Sequence, residues 1–75
     1  MTDDIQELDV VALLRDLPAE QLRAGQTGTV VCVHQGGAAF EVEFPLSPRQ
    51  SVVATVGPSN LLKLRGLTAA PATGS

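Results

Sequence analysis

Gly25-Gln26-Thr27-Gly28 opens the run Thr29-Val30-Val31-Cys32-Val33, and Gly36-Gly37 opens Phe40-Glu41-Val42-Glu43-Phe44. Two apolar runs rich in β-branched residues, joined across paired glycines, read as a β-hairpin. The second run alternates most clearly. Phe40, Val42 and Phe44 face one side and Glu41 and Glu43 the other, the two-residue period of a strand with one buried and one wet face.

Upstream of the hairpin, Asp9-Val10-Val11-Ala12-Leu13-Leu14-Arg15 has apolar residues at 10, 11, 13 and 14, which suits a buried strand or a turn or two of helix. Its length and its valine pair favour strand. Asp16-Leu17-Pro18 breaks it, because proline forces the preceding residue into extended geometry and donates no ladder hydrogen bond. Ala19–Ala24 has helix propensity but too little length for a free-standing helix, so a helical turn within a surface loop is expected, with Gly25 ending it.

Downstream, Pro45-Leu46-Ser47-Pro48-Arg49-Gln50 reads as a loop by composition, and Ser51–Val56 as a strand stopped by Gly57-Pro58. Ser59 is placed to cap one short turn through Asn60 and Leu61 before an edge strand, Leu62-Lys63-Leu64. Five short strands with a long first connection describe an all-β fold, a small SH3-like five-stranded barrel over residues 8–65. Residues 1–7 are expected to be a flexible N-terminus in which Ile5 and Leu8 can begin an ordered approach, and residues 66–75 a disordered C-terminal tail.

At 75 residues the chain hides only roughly 60% of the surface its unfolded form exposes. A concave pocket of about 300 Å³ or more has little room in so thin a core, which argues against a buried catalytic cleft. The chain has two phenylalanines and no tryptophan or tyrosine, so it offers no aromatic platform for stacking single-stranded bases. Its formal charge of −3 has the wrong sign for phosphate backbones or anionic membranes. A single cysteine makes no internal disulfide, Met1–Asp4 opens on acidic residues, and no apolar run reaches membrane-spanning length; together these imply a reducing, cytoplasmic setting.

Asp9-Val10-Val11-Ala12-Leu13-Leu14, Asp16-Leu17-Pro18, Leu22, Gly25–Val31, Phe40–Phe44 and Leu61–Leu64 together form a pattern that resembles the small bacterial proteins grouped as domain of unknown function 4926. The likeness runs over residues 8–64. It implies an SH3-like fold in a small stand-alone protein, some relatives being companions of larger proteins encoded beside them, and it carries no catalytic residues. Gly25–Val31 is also similar to the opening of KOW-type modules and of the barrel in the nitrile hydratase β subunit, a likeness of seven residues that any tight turn into a barrel strand favours.

Candidate chemistry is sparse. Cys32 and His34, two apart on a strand, share a face, but two ligands do not make a metal site. As nucleophile and base they sit about 6–7 Å apart along the backbone, with no third group placed to orient the imidazole. Gly25-x-x-Gly28 lacks the Lys-Ser/Thr and following helix of a phosphate loop. No catalytic residue, metal or cofactor is therefore expected. Glu41 and Glu43 remain as a solvated acidic face, suited to contact with a protein, where charge steers encounter and a strand edge can add a partner strand.

These features describe a non-catalytic protein-binding module, an accessory or regulatory partner of a larger bacterial protein from the same operon, with Glu41 and Glu43 as its partner-binding residues. No nucleic acid and no membrane are expected as partners, while a homodimer would complete so small a core. An antitoxin or immunity-type inhibitor and a KOW-like nucleic-acid module are the alternatives.

Overall fold

A computed structural model describes residues 4–65. Five strands, β1 (Val10–Leu13), β2 (Thr27–His34), β3 (Ala39–Ser47), β4 (Gln50–Val56) and β5 (Leu61–Lys63), form one antiparallel sheet in the order β4-β3-β2-β1-β5. Single 3-10 turns at Pro18–Glu20 and Pro58–Asn60 precede β2 and β5. Among the described residues there is no α-helix, and none is long and apolar enough to cross a membrane. The expected disordered tail, 66–75, lies outside the described residues, as do residues 1–3.

β4 and β5 are the two ends of the strand order, so the hydrogen-bond ladder is open between them. In a flat sheet four strand spacings would hold them roughly 19 Å apart. Yet Ala54 and Val56 of β4 and Leu61 of β5 belong to one buried cluster with Val11, Leu13, Leu22, Val30, Phe40, Val42 and Phe44. The sheet therefore curls around a single core, as strand twist favours. Phe44, Leu13 and Leu22 are the largest fully buried side chains, and each such burial stabilises the fold by about 1.5–3 kcal/mol.

β2 carries the least obvious feature of the fold. Gly28 and Val30 face the core, and the pairing then shifts between Val30 and Cys32, leaving Val31 as a bulge. The extra residue changes the phase of the strand. Beyond it Val33 packs against the core, while Cys32 and His34 turn to the outer face.

Several local expectations need correction. Pro45–Gln50 is not a continuous loop: β3 runs on through Ser47, β4 begins at Gln50, and only Pro48-Arg49 turns. Pro45 is tolerated there because β3 last pairs with β2 at Glu43, so its missing N–H falls where β3 has lost one neighbour. Gly25 does not end the Pro18–Glu20 turn; Gln21 does, at φ 61, while Gly25 takes φ 92 on the approach to β2. Ser59 lies inside the second 3-10 turn instead of capping it, and β5 starts one residue early, at Leu61. The ordered approach open to Ile5 and Leu8 is formed: Ile5 packs on the core and the Leu8 amide donates to the Val30 carbonyl at 2.8 Å.

Candidate protein-binding face

Register across β2, β3 and β4 builds the outer face in rows. Cys32, Glu41 and Thr55 form one, and Thr29, Glu43 and Val53 the next. Glu41 and Glu43, two apart on the middle strand, thus stand about 6–7 Å from each other along the backbone. The structure brings both predicted partner-binding residues to one solvent-facing surface.

Each carboxylate is held by a cross-strand neighbour one row away. His34 Nε2 lies 2.9 Å from Glu41 Oε2, and the Ser51 hydroxyl donates to Glu43 Oε2 at 2.8 Å. The His34 and Glu41 side chains are 43% and 38% exposed, so solvent screening limits the pair to about 0.2–1 kcal/mol. Its consequence is orientation: both acids are held on the face with one carboxylate oxygen engaged. Val31 and Val53, exposed to 37% and 51%, supply apolar surface beside them.

Glu41 does what the sequence did not anticipate, orienting the imidazole of His34. The contact needs the bulge at Val31, which rotates His34 onto the outer face. It does not create a nucleophile–base pair, because the imidazole is engaged with Glu41 and not with Cys32, and the three residues stand on an open strand face. No set of three or more His, Cys, Asp or Glu side chains among the described residues is grouped to hold a metal ion.

Elsewhere, the N-terminal approach, the Gly36-Gly37 turn and β5 surround an open depression of about 740 Å³ whose walls include Ile5, Val33, Phe40, Leu61, Leu62 and Lys63. The chain therefore has more concave surface than its size implied, formed where peripheral segments meet one side of the core. Its one ammonium is already engaged: Lys63 Nζ meets Asp9 Oδ2 at 3.2 Å and donates to the Asp4 carbonyl at 3.1 Å. A smaller hollow of about 390 Å³ lies at the end of the acidic face, where Thr29, Glu43 and Ser51 meet Arg49 of the β3–β4 turn. Arg15 and Arg23 are exposed on the β1–β2 connection.

The cross-strand contacts of Glu41 and Glu43 were out of reach of sequence reasoning, since both depend on register. Exposure of Val53 had a signal in the alternation of Ser51–Val56, which places it on the side of the two glutamates. No curated protein and no solved structure matches the chain. The family described as Domain of unknown function (DUF4926) matches residues 7–45, from the N-terminal approach through β1 and β2 to Pro45 of β3, and covers more than half of the sequence; the chain belongs to that family.

Proposed function

We propose that the chain is a non-catalytic protein-binding module, an accessory or regulatory partner of a larger bacterial protein, working in the cytoplasm through the outer face of β2, β3 and β4. We read its curled five-stranded sheet as an SH3-like barrel. The observation that carries the functional reading is the pair Glu41 and Glu43, set side by side on the middle strand, fixed by His34 and Ser51 and flanked by exposed Val31 and Val53. Fixed charge on a rigid strand steers a complementary partner and sets its orientation, and adjacent apolar side chains supply area to bury.

The test is affinity capture from the native host with the full chain as bait, followed by association kinetics with the captured protein. Reversing both charges, Glu41→Lys with Glu43→Lys, is expected to slow association by about tenfold or more at low salt. The melting temperature of the variant checks that the sheet stays folded. An unchanged on-rate refutes the assignment of this face, and turnover of a substrate by the purified chain alone refutes the non-catalytic reading.

A further inference from the structure

The two edges of the sheet differ sharply. β5 is three residues long, contains Lys63, and has that lysine tied to Asp9 and the Asp4 carbonyl. Short length and an edge lysine are the usual guards against strand addition. β4 has neither. Its seven residues, Gln50-Ser51-Val52-Val53-Ala54-Thr55-Val56, carry no charge and no proline, are rich in β-branched side chains, and pair on one side only, with β3. Alternate residues of such a strand present unpaired N–H and C=O groups to whatever lies beyond.

We propose that this edge is the docking strand for a second copy of the chain, the two β4 strands pairing antiparallel about a two-fold axis at Val53. The sequence of β4 is nearly self-complementary in that register. Val53 meets itself, Ser51 meets Thr55, and Val52 meets Ala54. The outer side gains an apolar pair from a valine that is 51% exposed in the single chain, flanked by two hydroxyl pairs; the inner side gains two pairs of small apolar residues. Cross-strand pairs of these kinds are each favourable, and no like charges oppose one another within the strand. At the ends the register sets Arg49, just before β4, opposite Gly57 of the second copy, so no like charges meet there either. The interface is isologous and closed, so association stops at the dimer, whose merged sheet presents two acidic faces side by side.

Pairing through one strand buries less than a standard protein interface, so the dimer is weak and concentration-dependent. Sedimentation of the full chain, with no other protein present, is expected to show mass rising from 7.8 kDa toward twice that value between micromolar and millimolar concentration. Val53→Lys sets like charges opposite each other on the axis and is expected to weaken the dimer by at least about tenfold. Leu62→Lys on β5 leaves it unchanged. Register is tested by Val53→Cys in a Cys32→Ser background. Directly opposed residues have Cα atoms about 4.5–5.5 Å apart, within the about 4.4–6.8 Å that a disulfide spans, so mild oxidation is expected to cross-link this variant and not Leu62→Cys in the same background.

A chain that stays monomeric to millimolar concentration overturns the proposal, as does a dimer indifferent to Val53→Lys or one broken by Leu62→Lys. A chain that is monomeric by itself and gains protection at the outward-facing β4 amides only with a different protein gives the edge to that protein and equally refutes self-pairing. The sedimentation and cross-linking outcomes are read on the chain alone, so they stand or fall separately from the role of Glu41 and Glu43.

Discussion

Adding a single methyl group at Gly28 is expected to do more damage than the same change at Gly36. A Cβ at Gly28 would stand 2.7 Å from the Glu43 carbonyl oxygen, 2.8 Å from Phe44 Cδ1 and 2.8 Å from Val42 Cγ1. The carbon–carbon optimum is about 3.5–4.0 Å, and both side chains are fully buried. The third obstacle is backbone of β3, which cannot retreat without pulling on its ladder with β2 and β4. Overpacking of this kind costs about 1–3 kcal/mol, and the backbone clash puts Gly28→Ala near the top of that range. At about 4–8 °C per kcal/mol for a domain of this size, its melting temperature should fall by roughly 10–25 °C. Gly36 has nothing within 4 Å of the same position, and its burden is a φ of +68. Left-handed geometry costs alanine about 1–2 kcal/mol, and the gain of about 0.4–1 kcal/mol from a stiffer unfolded chain is common to both variants and cancels in the comparison. Thermal unfolding of Gly28→Ala and Gly36→Ala followed by circular dichroism compares them directly. Equal losses would mean that Gly28 does not lie under β3, and the register of β2 would have to be redrawn.

Three further outcomes follow from the same packing and charge. Phe44→Ala removes the largest fully buried side chain and is expected to cost about 3–5 kcal/mol, close to the whole stability of so small a domain; a melting shift of a degree or two would refute the assigned face of β3. A double-mutant cycle on His34→Ala and Glu41→Gln should return a coupling of about 0.2–1 kcal/mol in chemical denaturation, and a coupling of several kcal/mol would mean the pair is far less solvated than its geometry states. With a net charge of −3 and Lys63 engaged by Asp9, the chain should show no measurable affinity for RNA or DNA at physiological salt. A submicromolar complex that weakens steeply with salt would revive the KOW-like reading.

Most of the fold was legible because β3 alternates without interruption from Phe40 to Phe44, which fixed one strand, its buried side and the two outward acids together. β1 was legible from its valines, and the break after it from Leu17-Pro18. What hid was whatever depended on pairing. The bulge at Val31 breaks the period of β2, so its sequence shows valines at 30, 31 and 33 with no visible alternation, and only the register reveals that Val31 is the extra residue. Proline composition likewise concealed the last residues of β3, because a proline on a stretch paired on one side looks, in sequence, like a loop. The acidic face followed from β3 alone, whereas its partners His34 and Ser51 lie on the flanking strands and needed the register of both.

The most direct test of the central claim is an amide hydrogen-exchange footprint of the full chain with and without its captured protein partner. Contact through the outer face predicts slowed exchange concentrated in β2, β3 and β4 around Cys32, Glu41, Glu43 and Val53, with the β1–β2 connection unchanged. Protection confined to Leu17–Gln26, with Thr29–Thr55 exchanging as in the free chain, would contradict it.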